Sequence, residues 1–294
     1  MYYNNNYRQN KSFRKRFSED FLYIIKWGFH ILLKGKNVRT VLFYPQYPQR
    51  YTVIYKVISA LKYNITNNPL VKHHLAIYWD NTTYRNPDSA IIELAKKERI
   101  LNINCRDISK TNVDSVFNEV FGYSCRVDSK TYSGLMVKKS EINASHDGTV
   151  VQGPTEPEKN FIYLKLINNE FNDDLVVDMR IPIVNGKMPL VYLKYKGKVT
   201  RFAHYRKIEL KRKRPEVHPV ESLLSKEEID KTTLFCQKIG LDYGEIDVLR
   251  DINDQKLYII DVNNTPHGPS VGKNLRKESI KRIATIFNNE FFLS

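Results

Sequence analysis

Three side chains that carry oxygen atoms lie close together near the end of the chain. Asp247 lies in one apolar run, and Asp261 and Asn263 lie in the next, after a polar turn. If the two runs form an antiparallel hairpin, the two carboxylates approach each other across it. Carboxylates among apolar neighbours repel each other unless a cation joins them, and Mg²⁺ prefers oxygen ligands completed by phosphates. The spacing therefore predicts a magnesium site. The alternative is an exposed hairpin whose acids face solvent.

The hairpin consists of two predicted strands and a turn: Tyr243–Leu249, Asp251–Gln255 and Lys256–Val262. Side chains alternate between the two faces of a strand. Strict alternation therefore places Glu245 and Leu249 on the face of Asp247, and Ile259 on the face of Asp261.

The same region resembles the C-terminal signature of the ATP-grasp superfamily. That signature is an Asp on one strand and an acid-x-Asn on the next, followed by Pro and Gly. This chain supplies Asp247, Asp261 and Asn263, then Pro266 and Gly268. The family more often has Glu at the second acid, so Asp261 is shorter but keeps the charge. The resemblance implies that the two acids and the Asn hold the Mg²⁺ ions that bridge the phosphates of ATP.

Upstream lysines follow the family's order, and the resemblance extends from about Asp107 to Pro269. Lys110, before a predicted helix, resembles the lysine that opens the central region. A second lysine of the family ends a strand ahead of a loop that covers the phosphates. Lys138 and Lys139 follow the predicted strand Leu135–Val137 at this place. We favour Lys139 as the ATP ligand and keep Lys138 as the alternative.

A loop and a hinge complete the implied nucleotide site. The loop Ser140–Gly148 has one glycine, fewer than is usual in relatives, and adds His146. The run Phe161–Ile167 occupies the place of the hinge, where backbone groups of the family bind adenine. The implied ATP-binding residues are Lys110, Lys138, Lys139, His146, Lys165, Leu166 and Ile167.

Three further cations lie between the second lysine and the hairpin. Asp178-Met-Arg180 resembles the Asp-x-Arg step of several ATP-grasp ligases, in which the Arg approaches the transferred phosphate or the acyl phosphate. Lys194 and Arg201 follow in matching order. The resemblance implies catalytic roles for Arg180, Lys194 and Arg201.

The predicted strands and helices that must position these residues indicate an α/β and α+β protein. Apolar strands alternate with helices from about residue 38 to residue 105, which is typical of a small open α/β layer. We predict a basic tail and amphipathic helix in residues 1–37 and an N-terminal α/β domain in residues 38–106. Residues 107–294 are predicted to form an ATP-grasp domain whose two α+β lobes grip ATP. Within it, Asn185–Gly186 predicts a hairpin turn, and Ser225 with Glu228 predicts a capping box.

Composition limits the function classes. The chain has 294 residues and a net charge of +15, and its abundant apolar residues exclude a wholly disordered protein. Three widely spaced cysteines predict buried, reduced thiols in a cytoplasmic protein rather than disulfides or a zinc site. No apolar run is long enough to span a bilayer. The basic, amphipathic residues 1–34 leave peripheral contact with the inner membrane surface open.

These features predict an ATP- and Mg²⁺-dependent ligase. It would activate a carboxylate as an acyl phosphate, which an amine then attacks. One alternative is an ATP-grasp kinase acting on a small molecule or sugar. The other is a basic nucleic-acid-binding protein, supported by Lys211–Arg214, and this alternative ranks third. The many cations suggest a small-molecule or glycan-type acidic substrate. The sequence does not indicate an oligomeric state.

Overall fold

The computed structural model describes residues 38–143, 145, 147–202, 213–268 and 271–293. The predicted tail and amphipathic helix in residues 1–37 and the candidate His146 lie outside the described residues. So do residues 203–212, which include much of the basic segment before Arg214.

A parallel sheet with two helices forms the N-terminal part. Its elements are β1 (Thr40–Pro45), α1 (Val53–Ala60), β2 (Asn64–Thr66), β3 (Leu75–Trp79), α2 (Ser89–Ala95) and β4 (Ile100–Leu101). The strand order is β2-β1-β3-β4, and all the pairs are parallel. The side chains of Thr52 and Asp88 cap the two helices. The apolar runs correctly predicted β1 and β3, whereas β2 is short and half exposed and was not predicted.

A three-stranded antiparallel sheet follows the helix α3. These elements are α3 (Lys110–Phe121), β5 (Gly134–Ser140), β6 (Thr149–Gly153) and β7 (Phe161–Lys165), with β5 in the centre of the sheet. Lys110 is the first residue of α3 and does not precede the helix, because Ser109 is its N-cap. β5 is longer than predicted and includes Lys138 and Lys139. β6 was not predicted from the sequence.

The largest sheet has five strands in the order β10-β9-β8-β11-β12. The elements of this part are β8 (Leu175–Val184), β9 (Val191–Gly197), β10 (Glu216–His218), α4 (Lys226–Ile239), β11 (Tyr243–Arg250), β12 (Leu257–Asn263) and α5 (Lys273–Asn288). Asn185 and Gly186 both have positive φ, at 49° and 76°, as the predicted tight hairpin turn requires. The capping box of Ser225 and Glu228 is confirmed.

The register of the β11–β12 hairpin places Asp247 directly opposite Asp261. The next pair is Val248 with Ile259, so β12 contains one extra residue at this point. Paired residues share a face, and Val248 and Asp247 point to opposite faces. The prediction that Ile259 shares a face with Asp261 is therefore wrong, because the bulge reverses the alternation. Ile259 is instead fully buried in the core.

The cores connect the three sheets. One core combines the inner faces of β5 and β7 with α3, α4 and the apolar face of the hairpin. A second core joins the N-terminal sheet to Tyr243 of β11 and to Ile283 and Phe287 of α5. The start of α3, the end of β12 and the loop after β5 therefore meet. In the part of the chain that is described, no helix is long and apolar enough to cross a membrane.

Candidate active site

Arg180 joins the two central strands of the site. It lies on β8 directly opposite Asp247 on β11. Its Nε donates to Asp247 Oδ1 and one terminal nitrogen donates to Oδ2, both at 2.6 Å. Its other terminal nitrogen lies 3.6 Å from a carboxylate oxygen of Glu245. Burial opposes the charge of Asp247, but Arg180 and Lys194 outweigh it and hold the pKa of this carboxyl well below its usual range.

The second carboxylate has a different cationic partner. Lys110 Nζ donates to Asp261 Oδ1 at 2.6 Å and to Asn143 Oδ1 at 3.2 Å. Lys110 is almost fully buried, and α3 packs against β12. The fold thus brings together Lys110 and Asp261, which are 151 positions apart in the sequence.

Two lysines of β9 lie beside the Asp247 carboxylate. Lys194 Nζ is 4.0 Å from Asp247 Oδ1, and burial is the main reason that its pKa is lowered. Lys196, two residues on, forms an ion pair with the buried Asp178. Burial lowers the pKa of Lys196, but the Asp178 carboxylate outweighs that effect and the net pKa is raised. Lys196 was not among the predicted site residues, although its spacing of two residues from Lys194 places both lysines on one face of β9.

The structure separates the two adjacent lysines of β5. Lys138 pairs with Glu158 at 2.6 Å and lies over the Phe161 ring. Lys139 is on the other face, where the charges of Asp261 and Lys110 act on it. Burial is the main cause of its lowered pKa. A Cβ at Gly148 would lie 3.3 Å from the Lys139 Cε, so the loop after β5 folds over this side chain.

Arg201 lies beside the predicted adenine hinge, and no contact with the carboxylate pair is observed among the described residues. It donates to the Ile167 carbonyl at 3.1 Å and to the Asn169 side chain at 3.0 Å. The Ile167 side chain is buried in the core, and Leu166 packs against the same core. Lys165 pairs with Asp251 at 2.7 Å, which ties β7 to the turn of the hairpin.

Glu245 is the acidic residue that the sequence analysis did not include among the site residues. It is 1% exposed, and neither carboxyl oxygen has a hydrogen-bond partner among the described residues. Burial raises its pKa to about 7, although Arg180 acts in the opposite direction. The sequence pattern could have indicated Glu245, since it lies two residues before Asp247 on the same face of an apolar strand.

Replacing Glu245 with Gln is expected to stabilise the protein at pH 8 and to have little effect at pH 4. The folded protein keeps Glu245 protonated up to a pKa of about 7, whereas the unfolded chain releases the proton near 4.5. Stability is therefore lost as pH rises between these values, by up to about 3 kcal/mol, and the Gln variant lacks this loss. Urea unfolding across this pH range measures the difference. Equal stability differences at pH 4 and pH 8 would contradict the expectation.

The oxygen donors of the hairpin fit a magnesium ion. Among the described residues, no group of three or more His, Cys, Asp and Glu side chains could hold a metal ion. Mg²⁺ does not need such a group, because one or two carboxylates with phosphate oxygens and water suffice. Asp247 and Asp261 are directly paired across the hairpin, and Asn263 lies on the same face two residues after Asp261, where its amide oxygen would add a third ligand. This donor set matches the hard, all-oxygen ligation of Mg²⁺.

Solved structures resemble this chain over most of its length, whereas no protein-family profile and no curated protein sequence matches it. The VanG D-Ala:D-Ser ligase of Enterococcus faecalis has a TM-score of 0.54 and 11% identity, with 86% of this chain and 100% of that chain covered. The D-alanine–D-alanine ligase of Bacillus anthracis, complexed with ATP, has a TM-score of 0.53 and 11% identity, with 87% and 98% covered. The ATP-grasp ligase PsnB, complexed with minimal precursor, Mg and ADP, has a TM-score of 0.50 and 10% identity, with 86% and 99% covered. These similarities confirm the predicted fold.

Proposed function

We propose that this chain, which has the ATP-grasp fold, is an ATP- and Mg²⁺-dependent ligase that joins a carboxylate to an amine. The observation that supports this best is the arrangement around the hairpin. Two opposed carboxylates, Asp247 and Asp261, are surrounded by buried and partly buried cations from three different elements. A polyphosphate with its metal ion needs positive side chains for the phosphates and negative side chains for the metal at one place.

The cations and the carboxylates have different proposed roles. Lys110 and Lys139 approach from the side of α3 and β5, where they would neutralise phosphate oxygens as the loop after β5 closes over Lys139. Arg180 and Lys194 approach from β8 and β9, beside Asp247. Asp247, Asp261 and Asn263 would hold Mg²⁺, which supplies positive charge against the phosphates. The fixed cations then stabilise the charge that develops on the transferred phosphoryl group.

The proposed reaction has two steps. A carboxylate oxygen of the substrate attacks the γ-phosphorus, the bond to the β-phosphate oxygen breaks, and ADP leaves. The amine nitrogen then attacks the acyl carbon, inorganic phosphate leaves, and the amine releases a proton as the amide forms. No residue of the chain needs to form a covalent bond with the substrate.

A hydroxylamine assay tests the proposal. Purified protein is incubated with ATP, Mg²⁺ and a panel of carboxylates, with hydroxylamine in place of the amine. We expect ADP formation and a hydroxamate, because hydroxylamine captures an acyl phosphate. A stable phosphorylated product without a hydroxamate would instead support the kinase alternative. Absence of Mg²⁺-dependent ATP binding would contradict both activities.

Lys139→Met is expected to weaken ATP binding by about tenfold to a hundredfold, whereas Lys138→Met changes it by less than about threefold. The reason is geometry, since Lys139 faces the charge cluster and Lys138 pairs with Glu158 on the other face. Titration calorimetry with a non-hydrolysable ATP analogue and Mg²⁺ measures both affinities. The two variants serve as matched controls for each other, because they make the same change one residue apart. Equal losses would contradict the assignment.

Cytoplasmic location remains part of the proposal. Cys105, Cys125 and Cys236 are free and buried, as predicted, and reduced thiols are typical of the cytoplasm. The suggested membrane contact of residues 1–34 falls outside the described residues. Nucleic-acid binding stays an untested third interpretation, and residues 211 and 212 of its basic motif also lie outside the described residues.

A further inference from the structure

A cavity of about 470 Å³ lies at the carboxyl edge of the N-terminal sheet. It adjoins the ends of β1 and β3, at Pro45 and Trp79, and the segment that follows β12. Its volume is within the range of sites for small molecules. The carboxyl edge of a parallel sheet is also where ligands of open α/β proteins bind.

The segment that follows the hairpin in the chain forms part of the cavity wall. The Thr265 hydroxyl, two residues after Asn263, donates to the Asn81 side chain at 2.8 Å. The ring of His267 meets the ring of Tyr51 edge to face, with centroids 4.7 Å apart. The cavity wall therefore begins immediately after the strand that carries Asp261 and Asn263.

The lining has no formal charge. Of the eleven described residues around the cavity, none is Asp, Glu, Lys or Arg. In a chain with 27% charged residues, about three would be expected by composition alone. His267 is neutral at pH 7, because burial first, and then Arg180 and Lys56, lower its pKa below the ordinary value of 6.5. An anionic or cationic group of a ligand would find no opposite charge in this lining.

Two kinds of side chain provide the recognition chemistry. Gln49, Asn67 and Asn81 carry amide groups, each of which can both donate and accept hydrogen bonds. Sugar hydroxyls have the same double capacity, so amides can satisfy them without a charge. Tyr51, which is 47% exposed, adds aromatic surface on which the C–H faces of a pyranose ring can pack.

We propose that this cavity binds the neutral, polyhydroxylated body of the acceptor, such as an amino sugar, and presents its nucleophile to the carboxylate hairpin. The inference depends on the proposed function for the position of the reacting groups. It replaces the expectation of an acidic substrate for this part of the site: the charged cluster would bind the phosphates and the activated carboxylate, and the cavity would bind the uncharged acceptor.

Binding measurements on the full chain test the proposal without turnover. The probes are neutral pyranoses and 2-amino sugars at about pH 8.5, where the amine of the amino sugar is mostly uncharged. They are compared with amino acids, dipeptides and uronic acids, each at millimolar concentration, by saturation-transfer NMR and calorimetry. We expect the sugars and amino sugars to bind and the other probes to bind at least about tenfold more weakly. Binding of amino acids or uronic acids in preference to the sugars, or no sugar binding at all, would overturn the proposal.

Variants locate the binding and separate the two proposals. Tyr51→Ala and Gln49→Glu, both at the cavity, should weaken sugar binding by about tenfold or more. Tyr84→Ala is the matched control, because Tyr84 is 54% exposed and does not line the cavity. Asp247→Asn should reduce Mg²⁺-dependent nucleotide binding and leave sugar binding unchanged. Sugar binding without nucleotide binding would refute the ligase and keep the cavity assignment. Nucleotide binding with sugar affinity unaffected by either cavity variant would refute the cavity assignment alone.

Discussion

Asp247→Asn and Asp261→Asn are each expected to lower Mg²⁺-dependent ATP turnover by about a hundredfold to a thousandfold. The substitution keeps the shape of the side chain and removes the negative charge. The two carboxylates lie opposite each other on paired strands, so they form one site for the metal and its phosphates. Losing one charged ligand of such a site weakens the stabilisation that the fixed charges give to phosphoryl transfer.

The measurement is ADP formation as a function of Mg²⁺ concentration. Asp173→Asn is the matched control, since Asp173 is exposed in the loop before β8 and has the same chemistry. Each variant must also be shown to be folded, because Asp247 neutralises the partly buried Arg180 and Asp261 neutralises the buried Lys110. Circular dichroism at the assay temperature provides that check. Folded variants that turn over ATP at the rate of the control would contradict the assignment of the hairpin.

Removing the guanidinium of Arg180 is expected to have a large effect on the stability of the fold. Arg180→Met is expected to reduce the free energy of unfolding by about 3 to 5 kcal/mol at pH 7.5, the loss typical when one partner is removed from a buried ion pair. Arg180 makes a two-pronged contact with Asp247 and lies near Glu245, so the variant leaves buried carboxylates without their main counter-charge. Turnover should fall as well, because the same guanidinium is proposed to stabilise the transferred phosphoryl group.

The stability loss caused by Arg180→Met should become smaller as pH falls. Arg180 depresses the pKa of Asp247 in the folded protein, so the stability from this pair is present above the unfolded pKa of about 3.9. It is lost as pH falls below that value, and the difference between wild type and Arg180→Met should shrink accordingly. Urea unfolding at pH 7.5 and pH 3 measures both differences.

Arg282→Met is the control for Arg180→Met. Arg282 pairs with Glu278 on the exposed face of α5, and its loss should cost less than about 1 kcal/mol. Arg180→Lys adds a second comparison, since it keeps the charge but loses the fork that contacts both oxygens of Asp247. A stability loss for Arg180→Met no larger than that of Arg282→Met, or one that grows as pH falls, would refute the role assigned to this ion pair.

Local sequence was sufficient to predict the hairpin, because apolar runs separated by a polar turn define two antiparallel strands. The pairing of Asp247 with Asp261 depends in addition on the bulge in β12, since unbroken pairing would place Ile260 opposite Asp247. The capping box at Ser225 and the turn at Asn185–Gly186 are similarly local, because their hydrogen bonds and backbone angles depend on adjacent residues. The prediction for Ile259 was wrong for a tertiary reason, since a bulge depends on the packing of both strands and not on one residue pattern.

The sequence by itself determined the types of charge at this site and their order along the chain, because acids and lysines can be read directly and strand alternation is a short-range rule. Tertiary structure decided which cation meets which carboxylate. It paired Arg180 with Asp247 and Lys110 with Asp261, and it brought Arg201 to the hinge. It also left the carboxyl oxygens of Glu245 without a hydrogen-bond partner among the described residues. Segments more than 200 residues apart in the sequence together line the uncharged cavity. Such contacts depend on how three sheets pack, and no local pattern of residues encodes that packing.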